Sequence, residues 1–226
     1  TRQCTTDRMM HAAAGRNALL ASSMSLYRQI VCEESIDCEW ADRGLLLVYK
    51  SAKDFDSYKA TAELLKREFD IQAVAYPGEA VKEFEPSLKS GMAGGWHFPA
   101  DAHVRPDKLL AGFKRAIEQR GGEIRENVEV VTLLRDGKSV ASVETSQGPF
   151  TADLIVLATG AEAPQFAKAI GCQLPIQPGK GYSLTMRPLK NQPKIPMIFE
   201  EHHVAVTPLE SGFRVGSTME FTGYDR

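Results

Sequence analysis

No Gly-x-Gly-x-x-Gly occurs in the 226 residues, so the usual phosphate-cradling fingerprint of a dinucleotide fold is missing from this chain. No apolar run approaches the ~20 residues of a membrane span. The densest, 44–49, reads as a strand. The first residues carry neither the charged nor the apolar region of a secretory leader. Charge of one sign is also lacking: 27 basic against 29 acidic residues give a net −2, with no basic stripe for nucleic acid. The four cysteines (Cys4, Cys32, Cys38, Cys172) show no CxxC or His-paired spacing, which argues against zinc. A Cys32–Cys38 disulfide is conceivable, but free thiols in a reducing compartment, and with them a cytoplasmic location, are expected. His202 and His203, read as neighbours on a strand, point to opposite faces and are poorly placed to chelate, so no metal is expected. Repeats and low-complexity segments are absent as well.

What is present is a core's worth of apolar residues, 43%, organised around the stretch 151–186. Its run Leu154-Ile-Val-Leu-Ala158 is expected to be a buried strand. The run breaks at Thr159-Gly160-Ala161, where a small residue permits a tight turn and close approach. A short helix over 164–170, a turn-rich link Gln177-Pro-Gly-Lys-Gly181 and a strand from Tyr182 follow. A strand ending in Thr-Gly-Ala and feeding a helix suits a phosphate-bearing cofactor, because free backbone N–H groups attract anions; most such turns, however, are only turns.

Upstream, Thr5-Thr6-Asp7 offers N-caps for a helix over about 8–31, with Met10, Ala14, Ala18, Ala21, Met24, Leu26 and Ile30 at loosely helical spacing. An amphipathic helix over 54–69 is expected, capped by Asp54, with Tyr58, Ala62, Leu65 and Phe69 on one face. Tyr76-Pro77-Gly78 reads as a turn leading to a short helix that ends before Pro86. The segment 91–98 reads as a Gly-interrupted strand, in which Trp96 and His97 are either ligand contacts or a core pair. Pro106 opens a helix to about Arg120 with a stripe of Leu109, Leu110, Phe113 and Ile117, closed by Gly121-Gly122. Short strands are expected at 123–125, 128–134, 140–145 and 149–150, with a hairpin turn at Arg135-Asp-Gly-Lys138. Beyond Tyr182, strands at 183–187, 197–200, 204–208 and 213–219 suggest an antiparallel sheet completed by the Leu45 and Met92 strands.

Ala158-Thr-Gly-Ala-Glu-Ala-Pro164 after an apolar strand, the block GGEIRENVEVVTLL before it and PIQPGKGYSLTM after it resemble the D-amino-acid oxidase-like FAD flavoproteins. Lys180-Gly-Tyr-Ser-Leu-Thr185 is most similar to the D-amino-acid dehydrogenase branch, and VAVTPLESGFRVGSTMEFTGYD to the strand pair that follows it there. The resemblance runs diffusely from about Leu19 to Asp225. It implies a mixed α/β fold: part of an FAD-binding Rossmann-like domain plus a substrate domain with a mainly antiparallel sheet flanked by helices. The implied division is a helical segment of the FAD domain at 1–35, substrate domain at 36–105, FAD domain at 106–175 and substrate domain again at 176–226. Since the family's glycine-rich motif and its C-terminal segment are not found here, the chain is expected to be an internal piece of a longer flavoprotein.

The resemblance also implies FAD as cofactor and an amino acid as substrate, oxidised at Cα to an imine that water converts to a 2-oxo acid and ammonia. Val130, Ala158, Thr159, Gly160, Ala161, Gly179 and Gly181 fall where that family holds FAD; for Val130 an ordinary core valine is the alternative. Tyr182, on the KGYS position, is the first choice for lining the substrate. A bidentate carboxylate clamp is needed, for which Arg187, Arg214 or Arg43 are candidates beside a surface role for each. His103 and Arg105 either line the substrate side or only shape their loop. No residue is assigned a catalytic role. The electron acceptor, oxygen or a quinone, stays open, and any membrane contact would be peripheral. Three functions stand: a D-amino-acid dehydrogenase or glycine-oxidase-like enzyme, a flavin enzyme of 2-hydroxy acids resembling L-2-hydroxyglutarate dehydrogenase, or a flavin-free binding module.

Overall fold

A computed structural model of the chain describes residues 5–137 and 139–224, so Cys4, Lys138 and Asp225 lie outside the described residues. The chain divides into two compact units: residues 5–121 with Ser183–Ser217, and Gly122–Tyr182 with residues 218–224.

The first unit begins with helix α1 (Thr6–Glu33), whose N-cap Thr5 accepts a hydrogen bond from the Arg8 backbone N–H. None of its residues is fully buried. Only Ile30 and Val31 at its end join a core, formed by Ile36, Cys38 and Leu109. Strand β1 (Leu45–Tyr49) is buried from Leu46 onward, as its unbroken apolar run requires of a strand covered on both faces. Helix α2 (Ala52–Phe69) starts earlier than expected because Ser51, not Asp54, is the cap: Ser51 Oγ accepts from the Asp54 N–H at 3.3 Å. Strand β2 (Val74–Pro77) replaces the expected turn at Tyr76-Pro77. It is an edge strand, where proline's missing donor costs no ladder bond. Helix α3 (Ala80–Phe84), strand β3 (Gly94–Phe98) and helix α4 (Pro106–Gln119) follow, with Pro106 at the first helical position and Gly121 left-handed after the end. The buried face of α4 is Leu109, Gly112 and Ala116; Leu110 and Ile117, expected in the stripe, are exposed. A Cβ on Gly112 would lie 2.2 Å from Ile36 Cγ2, so the close approach of Ile36 selects this face.

The second unit contains strands β4 (Val130–Asp136), β5 (Ser139–Thr145) and β6 (Gly148–Phe150), an antiparallel meander in which Gly137 takes the left-handed conformation of a hairpin turn. No strand forms at 123–125. A 3-10 helix (Gly160–Phe166) and helix α5 (Ala167–Ile170) cover the expected helical segment. The run 154–158 is not the buried strand expected of it. It makes no ladder, and Leu154 and Val156 are 81% and 78% exposed. A strand interior to a sheet needs a neighbour at each edge, and neither sheet of this chain takes it up.

Strands β7 (Lys180–Met186), β8 (Met197–Phe199), β9 (Val204–Pro208) and β10 (Phe213–Glu220) complete a seven-stranded sheet ordered β2-β3-β1-β8-β9-β10-β7. The pairs β2/β3, β3/β1, β8/β9 and β9/β10 run antiparallel and β1 and β8 run parallel, so the sheet is mainly antiparallel, as expected, with one parallel pair at its middle. Alternation sorts the side chains to two faces. Leu47, Tyr49 and Trp96 pack against Phe55 and Ala62 of α2. Leu46, Val48, Met197, Val206 and Phe213 pack on the other side with Val81 and Leu88. Burying each such large apolar side chain contributes about 1.5–3 kcal/mol. Trp96 is thus a core residue, its indole N–H donating to the Phe55 carbonyl at 3.1 Å. Gly95 is required by packing, since a Cβ there would meet Val81 Cγ2 at 2.8 Å.

Candidate functional site

The stretch Thr159-Gly160-Ala161 lies exposed at the start of the 3-10 helix, following the uncovered extended run. Gly160 has φ +54° and a Cβ built on it would meet nothing within 4 Å, so the backbone here is open to a ligand's approach. Ala158 and Ala161 present only methyl groups, and Tyr224 from the end of the described chain donates its hydroxyl to the Ala161 carbonyl at 2.9 Å. Val130 is half-buried at the start of β4 and pairs with Thr145. Gly179 and Gly181 are exposed, and a Cβ on Gly179 would press Phe221 at 3.2 Å. Tyr182 is 45% exposed; its hydroxyl donates to Glu220 at 3.0 Å and Lys180 Nζ stands 5.5 Å from its ring centre. Small residues, open backbone and exposed apolar side chains (Leu154, Val156, Met219, Phe221) in this unit are groups of the kind that suit a flat, phosphate-bearing ligand.

The arginines belong to the first unit. Arg214, half-buried on β10, donates from Nε to Thr185 Oγ1 at 3.0 Å, and Arg187 follows the end of β7 instead of lying on it. Arg43 Nη1 donates to the Lys194 carbonyl at 3.3 Å and lines a cavity of about 240 Å³ with Glu39, His103, Gln192 and Leu209. In the same wall His103 Nδ1 is buried without a partner among the described residues. Burial pushes the His103 imidazole below its ordinary value, against a hydrogen bond to the Pro208 backbone. His97 Nε2 lies 3.1 Å from the Arg43 carbonyl. The His202–His203 pair closes a 3-10 turn (Glu200–His202) between β8 and β9, with His203 left-handed, so the strand geometry assumed for it does not occur.

Sequence reasoning did not single out Glu39, 1% exposed in its side chain and at the centre of a polar network. Ser211 donates to it through both hydroxyl and backbone N–H, Lys108 Nζ is 3.1 Å away and Arg105 3.6 Å. Burial would raise the carboxyl, but the bonds from Ser211 and Lys108 outweigh it and hold it down at about 2. Arg105 is therefore an ion-pair residue at the helix entrance, also bound to Asp107 at 3.0 Å. Glu85, likewise 1% exposed, accepts from the backbone N–H groups of Ser87, Lys194 and Ile195 and so fastens the α3 exit to the approach of β8. No periodicity marks such residues, because several of their partners, Ser211 for Glu39 and Lys194 and Ile195 for Glu85, lie more than a hundred positions away.

Residues 6–226 match the DAO family model, described as FAD dependent oxidoreductase. The chain is 31% identical over 230 aligned residues to a D-amino acid dehydrogenase of Paramagnetospirillum magneticum, covering 99% of this chain and 52% of that protein. A D-amino acid dehydrogenase of Azorhizobium caulinodans is 30% identical over 99% of this chain and 54% of its own length. Among solved structures, glycine oxidase from Bacillus cereus superposes with a TM-score of 0.80 at 22% identity, over 92% of this chain and 59% of that one. L-proline dehydrogenase from P. horikoshii gives 0.76 at 22% identity, over 91% of this chain and 56% of that one. The chain thus spans about half the length of the curated relatives it matches. At such identity the solved structures speak for the fold, while the family model covers nearly the whole sequence. The chain belongs to the DAO family of FAD-dependent oxidoreductases.

Proposed function

We propose that this chain forms part of an FAD-dependent dehydrogenase that oxidatively deaminates a D-amino acid to a 2-oxo acid and ammonia. The observation that carries the reading is the 31% identity to a D-amino acid dehydrogenase across 99% of the chain. Bound FAD would supply a two-electron acceptor for the hydride leaving the substrate Cα. The amine nitrogen loses a proton as the C=N bond forms, and water then releases ammonia and leaves the carbonyl. The chain's share of that work is binding and orientation.

In this reading Val130, Ala158, Thr159, Gly160, Ala161, Gly179 and Gly181 line the cofactor, supported by the small side chains and the open backbone at Gly160. Tyr182 lines the substrate, and Arg187 or Arg214 grips its carboxylate. Segments 36–105 and 176–226 act as the substrate domain, and 1–35 and 106–175 contribute to the FAD domain. The free thiols Cys32, Cys38 and Cys172 fit a cytoplasmic setting. Among the described residues no helix is long and apolar enough to cross a membrane, and contact with one would be peripheral. Oxygen or a quinone takes the electrons onward.

The test is anaerobic mixing of the full-length gene product with D-alanine, L-alanine, glycine and L-2-hydroxyglutarate. Bleaching of the flavin band with ammonia release on D-alanine supports the reading. Bleaching by the hydroxy acid alone replaces it with 2-hydroxy-acid oxidation, and a product that never binds flavin overturns it.

A further inference from the structure

The sheet face opposite α2 carries a cleft of about 340 Å³, within the range of small-molecule sites. Met197, Val206 and Phe213 from β8, β9 and β10 line it with Leu88 and Met92 from the segment after α3. Three polar residues also line it: Ser87, Lys89 and Asn191, the last two exposed. No Asp or Glu lines it. The nearby Glu85 carboxylate is occupied by three backbone N–H groups, one on Oε1 and two on Oε2.

Ser87 gives the cleft its chemistry. Its Oγ is buried and has no hydrogen-bond partner among the described residues, a state that polar atoms ordinarily avoid. The hydroxyl has no bond to lose, and a rotation about χ1 that turned it to the cleft would let a ligand acceptor there satisfy it. An acceptor beside the Lys89 ammonium is best negatively charged. We propose that this cleft binds a small carboxylate carrying an apolar body and no α-ammonium group. The apolar body lies on Met197, Val206 and Phe213, and the carboxylate takes the Ser87 hydroxyl and Lys89. An α-ammonium group would sit beside Lys89 with no anion to pair with it, so deaminated acids are favoured over amino acids. The inference stands on the cleft alone and does not require the flavin.

The probe is 3-phenylpropionate, titrated calorimetrically into the 226-residue chain and into the full-length gene product. Saturable one-to-one binding is expected in both, with 3-phenylpropionamide roughly tenfold weaker for want of the charge-assisted bonds. Phenylalanine should bind roughly fivefold weaker or less tightly still, and acetate, lacking the body, should not bind. Ser87→Ala should melt no lower than the parent, since it deletes an unpaired hydroxyl, yet bind several-fold more weakly. Lys89→Met should weaken binding and flatten its salt dependence. Acid and amide binding alike, phenylalanine binding tighter than phenylpropionate, or both variants binding as the parent does would each overturn the proposal. So would binding to the shorter chain alone, which would make the occupant a segment of the longer protein.

Discussion

Two glycines in helices predict opposite outcomes from the same substitution. At Gly15 in α1 an added methyl meets nothing within 4 Å, so Gly15→Ala should stabilise the chain by about 0.5–1 kcal/mol through helix propensity. At Gly112 in α4 the methyl would sit 2.2 Å from Ile36 Cγ2, and overpacking of about 1–3 kcal/mol exceeds the same propensity gain. Urea unfolding of Gly112→Ala should therefore give a lower midpoint, and a midpoint above the parent's would mean that Ile36 yields. Glu39 supplies a titration with a definite sign. Its carboxyl lies at about 2, below its ordinary 4.5, so its stabilisation is complete above 4.5 and is lost as pH falls towards 2. The shift corresponds to roughly 3 kcal/mol at neutral pH. His103, depressed by burial, adds to acid sensitivity below its ordinary 6.5, whereas Asp101, raised by burial, opposes it at lower pH. Glu39→Gln should lower stability at pH 7 and flatten the slope below 4.5; a slope equal to the parent's would remove Glu39 from the account.

Among the elements, α2 depends on its first turn. Ser51 Oγ closes that turn on the Asp54 N–H, while the Lys50 and Ser51 N–H groups both donate to Glu201 at 2.8 Å, tying the β1 exit to the turn before β9. Ser51→Ala should cost about 1 kcal/mol, read as a lower melting temperature, and Asp54→Ala distinctly less because its side chain is not the cap. Equal losses would restore Asp54 to the capping role that the sequence suggested. Helices α2 and α4 were legible because their apolar residues recur at helical spacing, and β1 because its dense apolar run is too short for a helix. Strand β2 was not, since Tyr-Pro-Gly carries turn chemistry and only an edge position in the sheet accommodates the proline.

Across the whole molecule, burial is uneven. Of the fully buried apolar residues, Leu133 and Ala163 belong to the 122–182 unit and the rest to the unit with the seven-stranded sheet. Exchange protection follows buried contacts, so amides of β1, β3 and β9 should exchange slowest and those of β4 and β5 markedly faster. Mass-resolved hydrogen exchange checks this, and uniform protection across both units would refute it. The exposed run Leu154–Ala158 is the place to watch when FAD is added to the full-length product. Protection gained there and at 159–161 is the outcome the proposed function requires.

By itself the sequence determined the element types wherever periodicity was strong, the capped start of α1 and the Pro106 start of α4, the Asp-Gly hairpin and, through ATGAEAP and KGYS, the flavoprotein family. These are local properties, written in neighbours within a turn or a strand. Tertiary structure alone decided that β1 pairs parallel with β8, that α4 buries Gly112 instead of Ile117, and that the apolar run at 154–158 finds no ladder. It alone brought Ser211 to Glu39 across 172 positions and left the Ser87 hydroxyl unpaired beside an apolar cleft. The physical reason is the same in each case: a residue's own chemistry sets what it needs, whereas the partner that meets the need is chosen by how distant segments close on one another.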